Sequence, residues 1–133
     1  MAEIPRGIRN NNPLNIRLDG TGWLGLSPQQ TDPDFCQFTT PIYGIRAGAR
    51  ILKTYQREGI TTIEAMIERW APPSDDNPTQ AYAGNVATAC GVATADTIDI
   101  TALLPKIIPA MIEQENGEQP YPLEDIIYAI SLA

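Results

Sequence analysis

The sequence predicts a mainly α fold (α+β), several short helices with a small N-terminal β-ribbon, and three observations predict it. After residue 40, apolar residues recur at three- and four-residue steps in successive windows. Before it they come only as short islands, Leu14 to Leu18, Trp23 to Leu26 and Phe35 to Phe38, set among Asn, Gly, Pro and Asp. The third is size: 133 residues, 43% hydrophobic and 19% charged, suit one packed domain spanning 1–133.

The ribbon is expected from the islands. Thr40 before Pro41 then marks a helix start, with Ile42, Ile45, Ala49 and Leu52 as its inner face to about Gln56. Arg46, Arg50, Lys53 and Arg57 share another face, either a solvated stripe or a partner for the acidic C-terminal half. Thr61 and Glu64 have capping-box spacing ahead of Ile63, Met66, Ile67 and Trp70, and Pro72-Pro73 stop that helix. Asn77-Pro78 opens a third helix with Tyr82 and Val86 inward. Residues 101–115 form a fourth, bent by Pro109, and Pro122 to Leu132 a fifth with Ile126, Ile127 and Ile130 apolar.

Absences narrow the chemistry. The chain has no histidine and two cysteines, Cys36 and Cys90, so imidazole-based nucleophilic triads and zinc sites are not expected, nor is any metal or cofactor. The two thiols read as small buried residues rather than a disulfide. Asp75-Asp76-Asn77 lacks the glutamate and alternation of a calcium loop and reads as helix capping. Net charge is −7, with residues 1–69 near neutral and residues 70–133 holding nine acidic side chains against one basic, which opposes nucleic-acid binding. No long apolar run predicts stable membrane insertion or a secretory leader, so synthesis in the bacterial cytoplasm is expected. Carboxylates remain as acid–base groups.

One carboxylate is misplaced for a surface residue. With Ile108 at zero and about 100° per residue, Leu104, Met111 and Ile112 fall within about 60° of it, and Glu115 near −20° lies in mid-stripe. Glu113 falls beside Lys106 on the far side, as a solvated charge does. Lost hydration and the negative end of the helix dipole both favour the proton-holding form of such a carboxyl, which is what a general acid for glycosidic bonds requires. The alternative is a helix frayed by residue 115, with Glu115 pointing into water. Asp32, Asp34 and Asp19 are each either a second carboxylate or a turn residue.

Arg6-Gly7-Ile8-Arg9-Asn10-Asn11-Asn12-Pro13-Leu14-Asn15-Ile16-Arg17, Gly44-Ile45-Arg46-Ala47, Arg69-Trp70-Ala71-Pro72-Pro73 through Thr79, and Glu115-Asn116-Gly117 together resemble a family of small phage and prophage proteins. Those are often described as virion structural proteins. The chain also resembles lysozyme-like peptidoglycan-degrading domains in its parts but not in their order: the ribbon segment comes first and the glutamate helix near the C-terminus. The resemblance implies a circularly permuted lysozyme-like fold, with Glu115 in the acid position.

The expected function is therefore a peptidoglycan glycosidase, muramidase or lytic transglycosylase, in phage-related wall lysis or penetration. It would act on glycan strands in the periplasm or wall, or be carried in a virion beside other virion proteins. Glu115 is the candidate acid and Asp32 or Asp34 the candidate second carboxylate. Asn10, Asn12, Thr79 and Tyr82 are candidates for binding sugar hydroxyls and N-acetyl groups. The rival expectations are a virion or wall-binding protein with this fold and no turnover, and an inhibitor or adaptor using the acidic half.

Overall fold

Proline and threonine set the helix starts in the computed structural model, which describes residues 3–133. Six α-helices follow one another: α1 Arg6–Arg9, α2 Pro41–Arg57, α3 Ile63–Trp70, α4 Thr79–Cys90, α5 Ile100–Asn116 and α6 Leu123–Ser131. Pro41 occupies the first turn of α2, where its missing N–H costs nothing. The oxygen capping α3 belongs to Thr62, which accepts from the Ala65 N–H at 3.2 Å, not to Thr61. Asp99 caps α5 by accepting from Ala102. Gly91 and Gly117, both left-handed, end α4 and α5.

The helical class is as the periodicity predicts. The N-terminal ribbon is not present as strands among the described residues: only two isolated antiparallel bridges occur, Arg17 with Phe35 and Leu26 with Phe38. Side-chain amides take the places of ladder partners there. Asn12 Nδ2 donates to the Ile16 and Cys36 carbonyls, Asn11 Nδ2 to Phe38, and Gln30 exchanges hydrogen bonds with the Gln37 backbone. Scattered backbone bonds, from the N–H groups of Leu18 to Asp34, Cys36 to Ile16, Ser27 to Gln37 and Thr39 to Gly25, complete the segment without a continuous ladder.

Helix α5 is the hub, touching α1, α2, α4 and α6. Its Leu104, Ile107, Ile108, Met111 and Ile112 are fully buried and join Ile45 and Leu52 of α2, Ile63, Met66 and Ile67 of α3, Val86 of α4 and Ile126 of α6. Leu14, Ile16, Cys36 and Phe38 carry the N-terminal segment into the same cluster. Burying a side chain of this kind contributes about 1.5–3 kcal/mol. On α2, Gly44 and Gly48 face that segment: a Cβ at Gly44 would collide with the Asn11 carbonyl, and one at Gly48 with Leu14. Their bare backbone is what lets the Asn-rich strap lie against the helix.

The arginine stripe of α2 does not pair with the acidic half; Arg46 donates instead to the Leu132 carbonyl. On α6, Ile126 and Ala129 point inward while Ile127 is exposed, so its expected place in the apolar face is not taken. Cys36 and Cys90 are both buried and free. No helix among the described residues is long and apolar enough to cross a membrane.

Candidate active-site groove

Helix α5 continues through Pro105 and Pro109 to Asn116, and the apolar stripe keeps its phase to the end. Leu104, Ile108, Met111 and Ile112 are buried, Lys106 and Glu113 exposed, and Glu115, one turn beyond Met111, is half-buried. Its carboxyl enters a groove of about 290 Å³ whose walls include Asn15, Arg17, Asp19, Trp23, Tyr55, Trp70, Asp75 and Asn77. That volume is at the small end of the range for ligand sites.

Two neutral donors meet the carboxyl. Asn15 Nδ2 donates to Oε1 at 2.9 Å, and the Tyr82 hydroxyl donates to Oε2 at 2.9 Å. Tyr82 lies on α4 with its ring buried; burial first, and the neighbouring Glu115 second, push its hydroxyl far above the ordinary tyrosine range, so it stays a donor. Asn15 comes from the N-terminal strap and holds a left-handed backbone, φ 53°, which asparagine tolerates better than most residues.

The strap is pinned to the helix end from both sides. Asn116 Nδ2 donates to the Pro13 carbonyl at 2.7 Å and to the Ile112 carbonyl at 2.9 Å. Gly7 of α1 packs against this junction: a Cβ there would stand 2.6 Å from Asn116 Oδ1, 2.8 Å from Asn15 Oδ1 and 2.9 Å from the Asn12 carbonyl. Glycine is the residue that lets α1 approach.

An aromatic wall stands beside the carboxyl. Tyr55 and Trp70 meet edge to face with centroids 6.5 Å apart, and the Arg69 guanidinium, bound to Glu58, lies 4.5 Å over the Tyr55 ring. Burial pushes the Tyr55 hydroxyl up. Asp19 also lines the groove, and hydrogen bonds from Thr21 lower its carboxyl.

The other candidate residues are placed elsewhere. Asp32 is buried away from the groove, receiving Arg6 Nε at 2.7 Å, Arg6 Nη2 at 2.5 Å, Asn10 Nδ2 at 3.0 Å and the backbone N–H groups of Asp34 and Phe35. The Arg6 guanidinium, ahead of these other donors, holds its carboxyl well below the usual carboxylate range. Asp34 is exposed and takes a 3.1 Å contact from Arg6. Neither lines the groove beside Glu115, because both belong to the turn that Arg6 ties to α1. Asn10 bridges Asp32 and Gln37, and Asn12 ties Ile16 to Cys36; both amides are committed to the interior, the reverse of a sugar-facing role. Thr79 donates to the Ala71 carbonyl at 2.6 Å and borders a separate depression between α3 and α4. Of the named candidates, the structure brings together Glu115, Tyr82 and, on the groove wall, Asp19. Asn15, Trp23, Tyr55 and Trp70 join them without having been singled out, since nothing in local spacing pairs residue 15 with residue 115.

No family model matches the chain. Over 128 residues, covering 93% of this chain and 79% of the other, it is 44% identical to Protein P5 of Pseudoalteromonas phage PM2. The chain belongs to the family of that phage protein.

Proposed function

From this membership in a phage protein family, we propose that the chain, acting as one unit, is a peptidoglycan glycosidase with Glu115 as its general acid. The observation that carries the reading is the half-buried Glu115 carboxyl held by Asn15 and Tyr82 in a groove walled by Trp23, Tyr55 and Trp70. Aromatic faces and amide or hydroxyl groups are the partners that N-acetylated sugars require.

In the proposed reaction the protonated Glu115 gives its proton to the glycosidic oxygen as the bond from the anomeric carbon to that oxygen breaks. Positive charge then develops on the sugar ring. Either water or the sugar's own hydroxyl then attacks the anomeric carbon and returns its proton to the Glu115 carboxylate, the first giving a reducing end and the second an anhydro sugar. Asp19, in place of Asp32 or Asp34, is the ribbon-region carboxylate that borders the groove and is available to support that charge. The lysozyme-like, circularly permuted ancestry belongs to the same proposal. It is supported by a glutamate that closes α5 late in the chain against a strap that comes first.

A second reading is a virion or wall-binding protein without turnover, placed in the particle or at the bacterial wall. The kinship favours it more directly, because it speaks of a phage protein and not of an activity. Net charge of −7 suits an anionic wall polymer poorly, which favours a place in the particle over one at the wall. Incubating purified peptidoglycan with the wild type and with Glu115→Gln separates the two. Muropeptides released by the wild type alone support the enzyme, with mass analysis identifying reducing or anhydro ends. Sedimentation with the wall and no release from either protein leaves the second reading.

A further inference from the structure

The hydrogen-bond accounting around Glu115 does not close in the arrangement just described. Asn15 Oδ1 and Asn116 Oδ1 are both buried and without a hydrogen-bond partner. Both crowd the same point, within 2.8 Å of where a Cβ on Gly7 would sit, and the Asn12 carbonyl joins them at 2.9 Å. Three oxygens thus converge on one point beside the Gly7 Cα, with only its weakly donating C–H among them. Asn116 cannot relieve this by turning its amide, since its Nδ2 is held by the Pro13 and Ile112 carbonyls. Asn15 can, because its Nδ2 is bound only to Glu115.

Turning the Asn15 amide over would exchange its nitrogen and oxygen. Nδ2 would then supply N–H donors to the oxygen cluster at Gly7, and Oδ1 would face Glu115. Against a carboxylate that places two acceptors together and is unfavourable. Against a carboxylic acid it is a hydrogen bond, with the carboxyl O–H donating to Oδ1. Tyr82 remains bound to Oε2 in either case. Every buried group at this junction is satisfied only when Glu115 carries the proton.

We propose that Asn15 is a positioning residue for the Glu115 proton: its side-chain amide turns over when Glu115 is protonated, accepting the carboxyl O–H at Oδ1 and donating from Nδ2 into the oxygen cluster beside Gly7. The junction Gly7, Asn15, Asn116 thereby offers the groove carboxyl that meets two neutral donors a partner in either protonation state. Tyr82 on α4 faces the carboxyl directly, and the other titratable groups facing the same groove are Arg17 and Asp19 from the strap, Tyr55 from α2 and Asp75 from the turn after α3. The assignment deepens the glycosidase reading, and its catalytic consequence rests on that reading.

The test is nuclear magnetic resonance on the full chain, labelled with ¹⁵N and ¹³C, titrated through the acid range while the fold persists. The Asn15 side-chain amide shifts are expected to follow the Glu115 carboxyl carbon with one midpoint. Cross-peaks from the Asn15 amide protons to the Gly7 α-protons should strengthen as Glu115 takes up its proton. In Asn15→Gly, which keeps the left-handed backbone and removes the amide, the Gly7 α-proton shifts are expected to stop following the Glu115 carboxyl carbon, a coupling that a merely structural role for Asn15 would not produce. Asn15 amide protons that keep the same neighbours above and below the Glu115 midpoint overturn the proposal. The readout needs no substrate: amide turnover with no peptidoglycan cleavage sustains the Asn15 assignment and sinks the glycosidase reading, whereas cleavage without turnover does the opposite.

Discussion

Asp32 is a buried carboxyl and Glu115 a half-buried one, and their surroundings could hardly differ more. Asp32 takes a guanidinium fork, an amide and two backbone N–H groups, with its side chain 7% exposed. Its lone pairs are filled by donors that all favour the ionised form, so it holds the turn to α1 and has nothing left for chemistry. Glu115 meets two neutral donors, opens on a groove and has two unsatisfied oxygens close by. A carboxyl saturated by charge is structural; one that meets neutral partners and opens on a cavity still has a face to offer a ligand.

The comparison breaks most sharply on Glu115→Gln. The substitution keeps the shape and is expected to reduce muropeptide release about 100- to 10,000-fold, the usual range for a general acid, while the thermal midpoint stays close to wild type. Asp32→Ala should do the reverse. It leaves Asn10 and two backbone N–H groups unpaired and is expected to cost about 3 kcal/mol in denaturant titration, with activity per folded molecule retained. Arg6 is 39% exposed, so its share of that loss is the part screened by solvent. Because folding lowers the Asp32 carboxyl, the stability it contributes is present above its unfolded value near 3.9 and drains as pH falls through the acid range. In Asp32→Asn the acid slope of stability between about pH 5 and pH 2 should flatten.

Smaller effects sharpen the same contrast. Gly44→Ala forces the strap off α2 at the Asn11 carbonyl and is expected to cost about 1–3 kcal/mol. Since that strap carries Asn15, wall cleavage should fall with stability, read by assaying at a temperature where the variant remains folded. Tyr82→Phe removes only the hydroxyl from a packed ring and should change stability by about 1 kcal/mol. Because that hydroxyl donates to Glu115, the cleavage rate should drop several-fold with little change in substrate affinity, read as kcat against KM.

The helices were legible because their signals are local. Thr40-Pro41 starts α2, Pro72-Pro73 ends the run after α3, and the spacing of Leu104, Ile108, Met111 and Ile112 carries Glu115 to the inner side of α5. The misjudged pieces depend on partners far along the chain. Helix α1 has four residues and gives no periodicity to detect. The apolar islands looked like paired strands, but their backbone bonds are scattered and interleaved with Asn11, Asn12 and Gln30 side chains, leaving two isolated bridges. Asn10 and Asn12 looked like sugar ligands because asparagine suits both roles, and only burial separates them. For the same reason Asp32 could not be told from a catalytic carboxylate until Arg6 was placed beside it.

The bonds joining Asn15 to Glu115 and Asn116 to Pro13 span 100 and 103 positions. Contacts of such long range form late, after the intervening chain has organised. A polypeptide emerging from the ribosome can therefore lay its strap on α2 soon after that helix is made, but the groove lacks its Glu115 wall until α5 has followed. Any lytic capacity seated there is withheld from incomplete products by topology alone.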